Sequence, residues 1–198
     1  MDYFIRKAGP EHAEHFVELM LMSAPYFPDL FGAGIDRTLK KLYEKRGNLF
    51  SHEHVWLLEK EGKPAAMLLG YDHTTKKKEN LSTGILLFRY LHYMMLKNIR
   101  TLLQFNKTIG VLQKGEFYIS NIGTFPAFRR QGLARILMLK GEETAKQQGN
   151  IRMVLDVEKE NIPAIRLYRT LEYHETDEFF IPFDKQPLTF LRMKKTTG

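Results

Sequence analysis

The chemistry of this chain concentrates where a strand turns into a helix. Glu116 to Ala134 runs as an alternating strand, a bend at Gly123 and Pro126, and a helix start marked by Gly132. In the strand reading, Phe117, Ile119 and Asn121 share one face and Tyr118, Ser120 and Ile122 the other. Pro126 cannot donate to a ladder, so the strand ends before it. A helix start offers unpaired backbone N–H groups and a positive dipole end, which together suit a phosphate. Gly132 removes a Cβ where a ligand would approach, and Arg129 and Arg130 add permanent charge with forked donors. The same residues equally suit an ordinary strand–helix connection with a solvated arginine pair. The pattern is neither the G-x-x-x-x-G-K-[ST] phosphate loop nor the G-x-G-x-x-G dinucleotide turn.

The elements that must position this stretch follow from periodicity. Leu133, Ala134, Leu137, Met138, Gly141 and Ala145 fall on one side of a helix that Gly149 stops, with Arg135, Glu142 and Lys146 opposite. Tyr3 to Lys7 alternates as a first strand. Gly9-Pro10 opens a helix with Ala13, Phe16, Val17 and Met20 as its buried stripe. Ser23 to Gly32 holds two prolines and three aromatics and reads as a structured loop. Asp36 suits the cap of a helix through Leu39, Leu42 and Tyr43. His54 to Glu59 and Pro64 to Tyr71 read as strands joined at Glu61-Gly62, with Trp56 in the core. Ile151 to Val157 reads as a buried strand. Asn161 caps the next helix, with Pro163 in its first turn and Ala164, Leu167, Tyr168 and Leu171 as its stripe. Tyr173 to Ile181 and Leu188 to Lys194 read as a closing antiparallel pair.

Two of these segments resemble a known family. Pro126-x-x-Arg129-x-x-Gly132-x-Ala134 resembles the acyl-coenzyme A signature (Q/R-x-x-G-x-G/A) of the GNAT superfamily of N-acyltransferases. Asn161-x-x-Ala164-x-x-Leu167-Tyr168-x-x-Leu171 resembles that family's second motif, except that Glu172 stands where the family usually has glycine. The resemblance covers the whole scaffold, but its specific motifs lie only at Thr124–Ala134 and Asn161–Leu171. It implies an α/β (α+β) fold with a mixed, mostly antiparallel central sheet flanked by helices, and acetyl-coenzyme A as co-substrate.

The resemblance also implies roles. Ile122, Thr124, Arg129, Arg130, Gln131, Gly132, Ala134, Asn161 and Tyr168 would hold the cofactor, mainly through loop amides, the helix start and the strand backbone. Tyr168 matches the family's acid; a phenol near ~10 keeps its proton at neutral pH and can hand it to sulfur. Some members carry a carboxylate base on the strand before the signature, which makes Glu116 a candidate, with water relayed by Ser120 as the alternative. The Ser23–Gly32 region often lines the acceptor pocket, so Tyr26, Phe27 and Phe31 are candidate substrate contacts; a packed connection is the other reading.

Residues 74–114 depart most from the family, which usually joins these strands by a short turn. Lys76-Lys77-Lys78-Glu79-Asn80 is polar, and Leu81 to Phe105 is then rich in apolar residues. Ile85, Phe88, Leu91, His92, Met95, Ile99 and Leu102 fit helical spacing as one long helix or two shorter ones. Arg89, Lys97 and Arg100 interrupt the run, which argues against a membrane span. A helical insertion over about 76–110, between the third and fourth strands, must cover the sheet, the acceptor site or a partner subunit, as in a homodimer.

Composition narrows the class. At 198 residues with 43% hydrophobic content, the chain suits one domain, 1–198, with a packed core. The net charge of +7 suits an anionic cofactor or a nucleic acid, but the basic residues are spread rather than gathered on one run. With no cysteine there is no disulfide, thiolate metal site or thiol nucleophile, which fits a reducing cytoplasm. The N-terminus carries no basic and apolar leader pattern. His52 with His54, and His12 with His15, could each start a metal site, but neither pair has a third ligand. The expected function is acetyl transfer from acetyl-coenzyme A to a primary amine of a small molecule or peptide. A non-catalytic acyl-coenzyme A-binding regulator and a basic nucleic-acid-binding α/β protein are the alternatives.

Overall fold

The computed structural model describes residues 3–91, 97–183 and 187–197. Its apolar alternations become strands β1 (Tyr3–Lys7), β2 (Val55–Lys60), β3 (Lys63–Asp72), β4 (Glu116–Thr124), β5 (Arg152–Glu158), β6 (His174–Ile181) and β7 (Leu188–Thr196). They form one sheet in the order β1-β2-β3-β4-β5-β7-β6, antiparallel except between β4 and β5. A parallel pair needs a crossover, and helix α6 (Leu133–Gln147) supplies it.

Helices α1 (Ala13–Ser23), α2 (Phe27–Phe31), α3 (Ile35–Glu44) and α4 (His73–Leu91) cover one face. There Phe16, Leu19 and Leu39 pack on Val55, Leu57, Met67 and Leu69. Helices α6 and α7 (Ile162–Thr170) cover the other, where Leu137, Met138 and Ile165 pack on Leu68, Phe117, Ile119 and Leu155. The β2 and β3 side chains alternate between the two cores, as strand geometry requires.

Several local expectations change. Ser23–Gly32 contains a helical turn, α2, whose Phe27 and Phe31 are buried in the core. Gly34 in a left-handed conformation, not Asp36, precedes α3; Asp36 lies exposed in its first turn. His52 and His54 sit in a tight turn rather than on a strand. His52 is hydrogen-bonded to the Tyr43 carbonyl at 2.9 Å, and His54 to Glu79 at 2.7 Å. Among the described residues no group of three or more His, Asp or Glu side chains converges for a metal. No described helix is long and apolar enough to cross a membrane.

Among the described residues, the connection between β3 and β4 holds two helices, α4 and α5 (Ile99–Thr108). The expected apolar stripe is not a buried one. Leu86, Leu87 and Leu91 are buried, whereas Ile85 and Phe88 are 58% and 57% exposed. His92 and Met95 of that stripe lie outside the described residues.

Candidate active site

The central strands part where the chemistry was expected. β4 and β5 pair only from Glu116↔Arg152 to Ile119↔Leu155. Beyond that point β4 runs on to Thr124 against β3, and β5 runs on to Glu158 against β7. Between them opens a cleft of about 460 Å³. The register of β3 against β4 steps from Leu69↔Asn121 to Gly70↔Ile119, leaving Ser120 as one extra, unpaired residue. Such a bulge bends and twists a strand locally. It also breaks the expected alternation: Ile122 packs with Phe117 and Ile119 on the α6 side, while Asn121 turns toward α1. There Asn121 Nδ2 donates to Ser23 Oγ at 3.1 Å. Gly123 lets α1 lie close, since a Cβ there would come within 2.9 Å of the Leu19 carbonyl oxygen.

The far end of the cleft meets the start of α6. Gly132 precedes the helix at φ +78°, a left-handed conformation that favours glycine, with open space where its side chain would be. No side chain caps this helix start and its first turn carries no acidic residue. The backbone N–H groups and positive dipole end therefore stay available to an anion. Arg129 lines the cleft and its Nε donates to the Thr124 carbonyl at 3.2 Å. Arg130 holds a left-handed conformation at φ +59°, and Lys60 donates to Gln131 Oε1. Arg130, Gln131, Gly132 and Ala134 form the loop and helix start rather than the cleft wall.

Across the cleft, Asn161 Oδ1 accepts from the Ala164 amide at 3.3 Å, capping α7 as expected. Tyr168 projects from α7 into the cleft and is 6% exposed. Burial pushes its phenol further above its ordinary range, so the proton is in place at neutral pH. The cleft thus brings together Ser120, Ile122, Thr124, Arg129, Asn161, Tyr168 and Tyr26.

Glu116 is a correction. It lies at the paired end of β4, away from the cleft, and is 1% exposed. Its carboxylate accepts from Lys194 Nζ at 3.1 Å and the Gln113 amide at 2.7 Å, with Arg152 Nε at 3.4 Å. A carboxylate so placed fastens the strand ends and cannot reach a group bound at the splay.

The structure adds a polar group that the sequence reading passed over. Asp156, at the first splayed position of β5, has a fully buried carboxylate. Oδ1 accepts from Arg192 Nε at 2.8 Å; Oδ2 accepts from Arg192 Nη2 at 2.9 Å, the Gly110 amide at 2.7 Å and the Tyr118 hydroxyl at 3.1 Å. Oδ2 thus accepts three of the four bonds and Oδ1 one, with the charge paired to Arg192. One charge in the apolar run Met153–Val157 signals a buried partner, and Arg192 pairs with Asp156 in register on β7. Lys76 of α4 donates to the Gly110 carbonyl beside this cluster. Burial pulls its ammonium down to about 8, against the opposing pull of Asp156.

A second cavity of about 580 Å³ adjoins the cleft and shares Tyr26, Ser120, Asn121, Asp156 and Phe190 with it. Phe27 and Phe31 line only this second cavity, whereas Tyr26 stands between the two. Burial and the nearby carboxylates of Glu158 and Asp156 raise the Tyr26 phenol.

A sequence profile of the Acetyltransferase (GNAT) family matches residues 17–173, which include every residue lining the cleft except Phe190. The chain belongs to this family. The family is one of acetyltransferases, whose donor is acetyl-coenzyme A. An N-acetyltransferase from Staphylococcus aureus Mu50 has a similar fold, with TM-score 0.66 and 19% identity over 97% of this chain and 100% of that one. An acetyltransferase structure from Salmonella typhimurium with its cofactor acetyl-CoA gives TM-score 0.61 and 16% identity over 99% of this chain and 94% of that one. A mycothiol acetyltransferase from Thermobifida fusca (strain YX) is 37% identical over 68 residues, which make up 33% of this chain. The match spans 20% of that relative's length.

Proposed function

We propose that this GNAT protein transfers an acetyl group from acetyl-coenzyme A to a primary amine by direct attack on the thioester. The observation that carries the reading is the splay itself: a strand edge freed at Ser120–Thr124 leads straight to an uncapped, glycine-started helix. The α6 N-terminus and Arg129 would hold the pyrophosphate. The free β4 edge would pair with the pantetheine amides, as an unpaired edge offers N–H and C=O groups in alternation. Acetyl-coenzyme A supplies an activated acyl carbon. The bulge at Ser120 leaves backbone donors near the splay vertex, where they can face the carbonyl oxygen as it gains charge.

Tyr168 is assigned as proton donor to the leaving sulfur. The acceptor nitrogen forms its bond to the acyl carbon as the C–S bond breaks; the sulfur leaves with a proton from Tyr168, and the proton the nitrogen loses to water is returned through water to the Tyr168 phenolate. No carboxylate is needed as a strong base if the amine arrives neutral, and Asp156 is too fully hydrogen-bonded to serve. Water beside Ser120 is the proposed route for the amine proton. The test is thiol release from acetyl-coenzyme A across a panel of amines, with calorimetry of acetyl-coenzyme A alone. Release with at least one amine supports the reading. Binding without release from any amine identifies a regulatory module instead, and absence of binding overturns both.

A further inference from the structure

The second cavity gives the acceptor a chemical class. It lies directly beyond the splay vertex, so a molecule inside it points one end at the position the thioester would take. Its walls come from α4, α5 and α2. Leu81, Ile85 and Phe88 of α4, with Ile99 and Leu103 of α5, are among the most exposed large hydrophobics of the protein, at 74%, 58%, 57%, 40% and 54%. All five line this one cavity. An apolar stripe of that size is costly on a free surface and marks a binding site. Its volume falls in the range of about 300–1,000 Å³ usual for small-molecule sites.

The charges at its floor decide between kinds of amine. Asp156 is the one carboxylate lining this cavity among the described residues, and its oxygens are taken by Arg192, Tyr118 and the Gly110 amide. Oδ2 accepts three of these bonds and Oδ1 one, and the charge is paired with Arg192, so Asp156 offers a substrate ammonium little uncompensated negative charge. Lys76 lines the same floor and would repel one. A polycationic acceptor would therefore bring charges that nothing in the cavity compensates.

We propose that the acceptor is a primary amine with an extended aliphatic or aromatic body and no second positive charge. Its apolar body occupies the α4–α5 cavity and its nitrogen lies at the splay. The inference rests on the acetyl-transfer reading and adds the substrate class to it. The other possible occupants, a longer acyl chain on the coenzyme A thioester or a second copy of this protein, give different outcomes in the same experiment.

The test is kinetic. With acetyl-coenzyme A fixed, straight-chain primary amines from butylamine to decylamine are compared with spermidine at about pH 7, where Lys76 keeps its charge. Burial of each added methylene should raise kcat/KM by about three- to fourfold until the cavity is full. Spermidine should fall below butylamine. Gly84 lines the cavity on α4, and a side chain built there meets nothing within 4 Å. Gly84→Phe should therefore add bulk at the cavity wall, cutting kcat/KM for decylamine at least about tenfold more than that for butylamine, with the Kd of acetyl-coenzyme A within about twofold. Circular dichroism and that Kd confirm that the variant is folded.

A flat series, or spermidine as the best acceptor, overturns the proposal. So does a length preference seen in the acyl thioester series rather than in the amines, or a Gly84→Phe effect that tracks a change of oligomeric state by light scattering. If no amine releases thiol, calorimetry of octylamine against the acetyl-coenzyme A-saturated protein reads the cavity directly, and lack of binding there overturns the proposal. Loss of acetyl-coenzyme A binding in the unmodified protein would instead refute the acetyl-transfer reading beneath it.

Discussion

Lys76→Met tests the electrostatics beneath the site. Lys76 reaches the Gly110 carbonyl from α4, close to Asp156 and Arg192, and burial lowers its ammonium from 10.5 to about 8. The unfolded chain therefore binds more protons at this position than the folded one between about pH 8 and pH 10.5, so stability rises with pH across that window. From about pH 6.5 to about pH 9.5 the shift makes the wild type more stable by about 2 kcal/mol through this group. Part of the side chain meets water, which brings the figure to about 1–2 kcal/mol. For a chain of this size that is roughly 3–6 °C in Tm. Lys76→Met keeps the length of the side chain but cannot titrate. It also leaves the Gly110 carbonyl without its donor, a loss of about 1–3 kcal/mol that does not vary with pH. The Tm difference, variant minus wild type, should thus be most favourable to the variant at low pH and decline by roughly 3–6 °C as pH rises. Thermal unfolding followed by circular dichroism at both pH values measures it. Groups common to both proteins cancel in the difference. A difference that stays within about 1 °C across the range would show that Lys76 is solvated, and the charge argument for the acceptor would lose its cation.

Tyr168→Phe should lower kcat by about 100-fold or more while leaving the acetyl-coenzyme A Kd within about twofold, read by thiol release and calorimetry; unchanged kcat would remove Tyr168 as the acid. Gly132→Asp should weaken acetyl-coenzyme A binding by at least about 100-fold, because it strains a left-handed position and sets a carboxylate against the pyrophosphate; normal affinity in calorimetry would refute the cradle. Glu116→Gln should lose about 2 kcal/mol of stability by leaving Lys194 and Arg152 short of their counter-charge, yet leave the pH–rate profile in place; a shifted basic limb would restore Glu116 to the chemistry. Glu172→Gly should raise stability by about 1 kcal/mol, since Glu172 sits at φ +66° in the turn after α7; an unchanged or lower Tm would count against strain there.

The donor half of the site was legible because its chemistry is carried by backbone and spacing. A phosphate cradle needs a helix start, a glycine and a nearby arginine, and Arg129, Gly132 and the Leu133–Ala145 stripe sit close together in sequence. Asn161 and Tyr168 were legible for the same reason, seven residues apart on one helix. The Glu172 turn kept its shape without glycine: the Tyr173 amide still donates to the Tyr168 carbonyl at 3.0 Å, with the left-handed residue absorbing the strain.

The proposed acceptor cavity was not legible, because it is assembled across the chain. Alternation along β4 gave Glu116, Tyr118 and Ser120 one face, but the bulge at Ser120 shifts the phase by one residue, and no local residue type announces a bulge there. Asp156 joins Arg192 across 36 positions, and Lys76 meets Gly110 across 34. The α4 stripe misled for a related reason. Periodicity finds the apolar side of a helix but not what lies against it. Here Leu86 and Leu91 turn to the protein, while Leu81, Ile85, Leu87 and Phe88 line the cavity. A helix apolar on two sides must satisfy two surfaces, and in this fold only one of them is protein. The proposed apolar substrate would supply that second surface for Leu81, Ile85 and Phe88.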